Sequence, residues 1–420
     1  MQLLRGIKDI LPDEIQFWQH IYNAANEILT LSNYNEIRTP ILEQTDLFKR
    51  SIGDNTDIIN KEMYTFIDQG KRSITLRPEG TASIARAFIS NKLYTNKKMH
   101  RLWYMGPMFR YERPQKGRQR QFHQLGIECI GSINYMADVE VIRLAIKVLE
   151  ICQLSTYKLE INSIGNLEER QIYKQKLINY LVKYKNDLDD DSKKRLELNP
   201  LRILDSKNIK IQEILDGAPK LTSYLKSESL NHFNSICEHL TYLNIPYAIN
   251  KKLVRGLDYY NYTAFEIKTN NLGSQDTICG GGRYDKLIEY LGGPRTPAVG
   301  WAIGIERLLI IAEKIININK NISEVYIIIQ GIRAEQKVWD IIRILEEYKI
   351  SFNLDFNQNN LKKQIKKASQ SSAKICCILG ENEIDNNYIT IKWLKKSKQQ
   401  KINLDKFKQY LYDIKNLIIT

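Results

Sequence analysis

The sequence predicts an α+β fold class: a sheet-centred domain flanked by helices, interrupted by a helical insertion and followed by a small C-terminal α/β domain. Two apolar runs, 102–110 and 121–130, are joined by a polar, basic connection and read as a hairpin. The stretch 168–240 is helical in pattern and strongly charged, with a charge run centred on 187–195. Beyond 324, strand-like and helix-like segments alternate, as in a three-layer α/β unit. The expected division is therefore 1–167 with 241–318, an insertion at 168–240, and a final domain at 324–420.

Taken in order, residues 14–31 carry Ile15, Phe17, Trp18, Ile21, Tyr22, Ala25, Ile28 and Leu29 at helical spacing and predict a long amphipathic helix. Residues 34–40 read as a strand stopped by Pro40, which has no N–H to give a ladder. A short strand at 73–77 leads through Pro78-Glu79-Gly80 into a helix ending near 90. A further strand group spans 245–268, and the small-residue strand 298–304 runs into a helix over 305–315. Gly280–Gly282 lack the Lys-Ser/Thr of a phosphate-cradling loop. They predict instead a strand whose backbone passes close to a ligand or another strand. Residues 317–323 form a polar linker. After it come strand 325–330, helix 334–347, strand 349–355, helix 360–370, strands 374–379 and 387–394, and helix 403–418.

Composition narrows the function. With 420 residues, 43% hydrophobic and 26% charged, the chain is an ordinary folded soluble protein. No apolar run reaches the length of a membrane helix, and the N-terminus has neither a secretory nor a transit pattern, so a cytoplasmic protein with no membrane partner is expected. Six scattered cysteines without C-x-x-C spacing read as reduced thiols. The five histidines show no metal spacing, and His123 falls on the core side of its strand as a structural residue. A net charge of +14 suits a polyanionic partner, since neutralising phosphates releases counterions. A lysine-rich solvated surface is the plainer explanation of the same number.

The basic connection is more specific. Arg110, Arg113, Lys116, Arg118 and Arg120 stand against one acid, Glu112. Such crowding is repulsive unless an anion is expected there, and planar guanidinium groups suit bidentate contact with phosphate. Along the returning strand, side chains alternate. Leu125, Ile127 and Cys129 face the core, while Gln124, Gly126 and Glu128 present an amide, a gap and a carboxylate to the other side. That second face reads as a floor for a small polar ligand.

These residues carry a resemblance. FRYERPQKGRQRQFHQLG resembles the second signature motif of class II aminoacyl-tRNA synthetases, in the form used by the histidyl-tRNA synthetase family. Residues 34–40 with the preceding helix resemble the first motif, and AVGWAIGIERLLI (298–310) the third. LVRGLDYYNYTAFE (253–266) and CGGGRYDKL (279–287) are similar to sequences particular to the histidine-type enzymes. The resemblance spans essentially the whole chain. It departs from the family pattern at Gln119, Lys286 and Trp301, none of them a matched catalytic position.

The resemblance implies a class II catalytic domain built on an antiparallel sheet, dimerising through the first-motif region, and a C-terminal domain that binds the anticodon. It implies activation of L-histidine by ATP, with Mg²⁺ carried by ATP and no dedicated protein metal site, followed by transfer to the 3′ end of tRNA(His). Arg110 matches a residue gripping the α-phosphate, Arg307 one at the γ-phosphate, and Arg255 one between carboxylate and α-phosphate. Glu112 belongs to the same ATP site. Glu79, Gly80, Thr81 and Gln124 would hold the amino acid's ammonium and carboxylate, and Glu128, Tyr259, Tyr260 and Tyr284 its side-chain end. Arg113, Gln115, Lys116, Arg118 and Arg120 would meet the tRNA acceptor end. No general base is needed for activation, because a carboxylate is already ionised and the task is positioning and charge neutralisation. A carboxylate such as Glu79 beside a helix N-terminus is also favourable for purely structural reasons. The rival expectation is a catalytically silent relative serving as a regulatory subunit of histidine biosynthesis.

Overall fold

The computed structural model describes residues 1–420 apart from 54–55, 97, 207, 271–275, 317–322, 357–359, 397 and 420. The chain forms two compact units, Met1–Ile318 and Asn319–Thr420. Most of the expected linker 317–323 lies outside the described residues.

The first unit is organised by an eight-stranded sheet. Its spatial order is Asn35–Glu36, His100–Phe109, Gln121–Ile130, Ala298–Gly304, Thr277–Arg283, Asn261–Lys268, Lys158–Gly165 and Tyr247–Ile249. The six central strands are antiparallel neighbours, and only the two short outer strands pair in parallel. Helices Pro12–Leu31, Tyr135–Ile151 and Ser227–Tyr242 contribute to the core on one face, where Trp18, Ile21, Ile142, Leu149 and Ile236 pack with Leu125, Ile127, Cys129 and Trp301. The expected alternation on the returning hairpin strand is thus observed. Between Lys158–Gly165 and Tyr247–Ile249 the described chain has helices Leu167–Leu181, Asp190–Leu198, Ile209–Asp216 and Ser227–Tyr242 joined by short 3₁₀ turns. Asn166 starts the first of these with a reciprocal capping box to Glu169.

The second unit has a five-stranded sheet ordered Phe352–Leu354, Val325–Gln330, Ile375–Gly380, Tyr388–Trp393 and Lys398–Asn403. The first three are parallel and the last two antiparallel. Helices Ile332–Glu347 and Phe407–Ile419 contribute to a core with Val325, Ile375 and Ile389 on one face, and Leu361–Gln370 packs through Ala368 on the other. The α+β expectation is met by the antiparallel-rich first unit, and the expected small α/β domain is the second.

Several elements differ from expectation. The strand expected over 34–40 shrinks to Asn35–Glu36. After Ile37, whose N–H still reaches the Trp103 carbonyl at 2.8 Å, the chain leaves towards a separate three-stranded sheet of Leu42–Gln44, Thr65–Ile67 and Ser73–Leu76. Helix Tyr135–Ile151 and strand Lys158–Gly165 are not among the expected elements. The expected helix over 403–418 begins only at Phe407, because residues 398–403 (KQQKIN) pair as an edge strand with Tyr388–Trp393. Such a polar edge gives little apolar signal, since only Gln400 and Ile402 on its inner face are even half-buried.

Candidate functional site

Register builds the site. One cross-strand row runs Glu160, Glu266, Gly280, Ala302, Gly126, Tyr104. The next runs Asn162, Ala264, Gly282, Gly300, Glu128, Leu102. Both rows are small at the centre and large at the flanks, so long side chains from neighbouring segments lie over the bare backbone. A Cβ on Gly280 would come within 2.7 Å of the Arg255 guanidinium carbon, and one on Gly126 within 2.5 Å of Tyr104 Cζ. A Cβ on Gly300 would collide with the Glu128 carboxylate. The triple-glycine strand is therefore close-packed against Arg255, Tyr260 and the backbone of neighbouring strands, the close approach expected from the sequence.

Above these rows opens a cleft of about 910 Å³, its mouth included, lined by Glu79, Thr81, Arg110, Glu112, Arg118, Gln124, Arg255, Tyr259, Tyr260 and Arg307 among others. Four arginines line it, and three of them, Arg110, Arg255 and Arg307, come from three different segments. Arg110, just beyond the first hairpin strand, donates from Nε to the Pro78 carbonyl at 2.9 Å and lies 5.2 Å from the Phe122 ring centre. Arg307, in the first turn of helix Ile305–Ala312, donates to the Gly117 carbonyl at 2.9 Å and the Thr277 carbonyl at 2.8 Å. Burial, with Arg118 and Arg110 nearby, lowers its pKa from the ordinary value. Gly117 makes this contact from a φ of +73°, which a side chain would strain. Burial acts to lower the pKa of Arg255, but Glu266 beside it holds it above the ordinary value. Among the described residues, neither the buried Arg255 Nε nor the buried Gln124 Oε1 has a hydrogen-bond partner.

The carboxylates are held differently. Glu79 accepts from the backbone N–H groups of Thr81 and Ala82, each at 2.7 Å, and so caps helix Thr81–Ser90. Burial raises its pKa, against the lowering effect of those two bonds. Glu128, 1% exposed, accepts from the Thr81 hydroxyl at 2.7 Å and from the Tyr284 hydroxyl. Burial pushes its pKa up to about 8, although both hydroxyls act to lower it. Glu128 and Tyr284 stand behind the cleft wall and are absent from its lining, whereas Tyr259 and Tyr260, with ring centres 4.6 Å apart, belong to it. Glu112 lies 2.5 Å from Arg118 Nε and 3.8 Å from Arg110 Nη1.

The hairpin loop divides. Arg118 reaches the cleft, while Arg113, Gln115 and Lys116 are exposed outside its lining. Arg120 turns away, its guanidinium 3.9 Å from the Tyr111 ring centre and its backbone N–H on the Gly6 carbonyl at 2.7 Å. His123 is hydrogen-bonded to Glu306 at 2.9 Å and edge-on to Trp18, the structural role expected of it. The sequence reading missed Tyr104, whose ring fills the gap at Gly126 and lies against Gly80, its buried hydroxyl without a hydrogen-bond partner among the described residues. Counting outward from Arg110 and Arg120 along the hairpin pairs Tyr104 with Gly126, so the signal was present. Thr277 and Glu266, which contact Arg307 and Arg255, carried none.

The family described as histidyl-tRNA synthetase matches residues 6–308, and the anticodon binding domain family matches 324–414. A protein named histidine–tRNA ligase, chloroplastic, from Gracilaria tenuistipitata var. liui is 64% identical over 99% of both chains. One named histidine–tRNA ligase from Gloeothece citriformis is 50% identical over 99% of this chain and 96% of its own. The crystal structure of apo S. aureus histidyl-tRNA synthetase superposes with a TM-score of 0.81 at 36% identity, covering 98% of this chain and 99% of that one.

Proposed function

The chain belongs to the histidyl-tRNA synthetase family, and we propose that it activates L-histidine with ATP and then transfers it to the 3′ end of tRNA(His). A histidine carboxylate oxygen attacks the α-phosphorus of Mg²⁺-bound ATP; the bond to the bridging oxygen breaks and pyrophosphate leaves. The observation that carries this reading is the convergence of Arg110, Arg255 and Arg307 on one cleft over a glycine floor. Two anions must approach each other there, and fixed guanidinium groups neutralise the charge that develops without reorganising at the moment of reaction.

In this reading Arg255 and Arg110 bracket the reacting carboxylate and α-phosphate, and Arg307 takes the γ-phosphate. Glu79 keeps lone pairs beyond its two cap bonds for the α-ammonium, beside Gly80 and Thr81. The Gln124 Oε1, without a partner among the described residues, supports a ligand-facing amide. Glu128 with Tyr259, Tyr260 and Tyr284 receives the imidazole. A second turnover step passes histidine to the terminal ribose, with Arg113, Gln115, Lys116, Arg118 and Arg120 at the acceptor end. Residues 1–167 and 241–318 act as the catalytic domain, 168–240 as an insertion and 324–420 as the anticodon-binding domain, in a homodimer formed through the first-motif region. No described helix is long and apolar enough to cross a membrane. We place the activity in a soluble translating compartment, cytoplasmic or, as the name of the Gracilaria relative suggests, plastidic.

Amino-acid-dependent ATP–pyrophosphate exchange across all twenty amino acids tests this. Exchange with histidine alone is expected. Faster exchange with another amino acid refutes the substrate, and none at all points to the silent regulatory relative.

A further inference from the structure

We infer that Glu266, which does not line the cleft, is a positioning residue that sets where the Arg255 guanidinium sits during activation. The inference rests on the reading above, in which Arg255 neutralises charge at the reacting phosphorus.

Glu266 lies on strand Asn261–Lys268, directly across from Gly280. Because Gly280 has no side chain, Arg255 can lie over it and give its Nη1 to Glu266 Oε1. The carboxylate is itself restrained. Its Oε2 accepts from the Thr277 hydroxyl at 3.2 Å and stands 3.5 Å from Lys268 Nζ. That ammonium is shared with Glu160 at 3.0 Å, and Glu160 is in turn held by Lys158 at 2.6 Å and Asn250 at 2.8 Å. The result is a line of alternating charge across two strands that ends on Arg255.

Thr277 has a second connection, since its carbonyl accepts from Arg307 Nη1 at 2.8 Å. One residue thus links the carboxylate that holds Arg255 to the guanidinium that would take the far phosphate. Glu266 occupies one edge of the Arg255 guanidinium and leaves the Nε–H, which has no partner among the described residues, to donate to an anion. The rotamer freedom of a long arginine is lost on folding and not in the transition state, which is what preorganisation requires.

The test begins with wild-type histidine-dependent exchange; its absence overturns the functional reading, and the inference falls with it. Given normal wild-type exchange, Glu266→Gln is expected to lower kcat by about 10- to 100-fold, the scale of an ångström-level misplacement. KM for ATP and for histidine should change little. In an Arg255→Ala background, assayed at raised enzyme concentration, the same substitution should add almost nothing, because Glu266 acts only through Arg255. Equal factors in both backgrounds, or an unchanged kcat in Glu266→Gln, overturns the inference. Should Glu266→Gln fail to fold, Glu266→Asp keeps the charge and shortens the reach by one methylene. A fall in kcat at constant KM supports positioning, and wild-type kcat refutes it.

Discussion

Gly280→Ala tests the site without altering any charged group. The new Cβ would come within 2.6 Å of Arg255 Nη1 and 2.7 Å of its guanidinium carbon. Non-bonded heavy atoms pack at roughly 3.5 Å, so the guanidinium has to retreat by about 1 Å. The group that moves is the far end of a flexible side chain, so the fold should tolerate the change. Catalysis should not, because a misplacement of that size costs about 100-fold, equivalent to about 2.7 kcal/mol of transition-state stabilisation. Histidine-dependent ATP–pyrophosphate exchange measures kcat, and a thermal melt checks the fold. A variant with wild-type melting and kcat would show that Arg255 need not lie over Gly280, and would refute the reasoning.

Other expectations follow from the same geometry. Gly126→Ala drives a methyl group into the Tyr104 ring, which lies against Gly80 on its other side, and should cost about 1–3 kcal/mol in urea unfolding; an unchanged midpoint would contradict that packing. Burial raises the Glu128 pKa to about 8, so its contribution to stability is fully present below about pH 4.5 and is lost as the pH rises through 8. Glu128→Gln should therefore flatten the fall in stability between those limits, leaving the part due to Glu79, whose pKa is also raised by burial; identical pH slopes in unfolding titrations would exclude it. Asp138, held at about 2 by Arg283 and His232 against the opposing effect of burial, forms a fully buried pair with Arg283. Arg283→Met should cost about 3–5 kcal/mol by stranding that carboxylate, and a loss well under 1 kcal/mol in calorimetry would argue against it. Truncation after Ile318 should reduce tRNA charging far more than exchange, and equal losses would deny the second unit an anticodon role.

Much of the site was legible locally. A strand alternates by geometry, so Gln124, Gly126 and Glu128 had to share a face once Leu125, Ile127 and Cys129 were core. A basic loop beside Gly117 announced an anion, and three glycines in a row announced close approach. The polar edge strand 398–403 was not legible, because only Ile402 among its six residues is apolar, too few to show a period. Strand Lys158–Gly165 escaped for the opposite reason: seven of its eight residues are buried, Glu160 and Asn162 among them, so polar residues sit where a sequence reader expects a solvent face.

What the sequence determined by itself was the chemistry of each position: which groups are cationic, which strands bury one face, and where backbone lies bare. Only the tertiary structure decided which of these meet. It set Gly280, Ala302 and Gly126 in one row, filled the gap at Gly126 with Tyr104, and enclosed Glu128 behind Thr81 and Tyr284. It also joined Arg255 to Glu266. The reason is physical: strand register depends on pairing between segments separated by up to about half the unit, and local periodicity carries no information about the partner's offset.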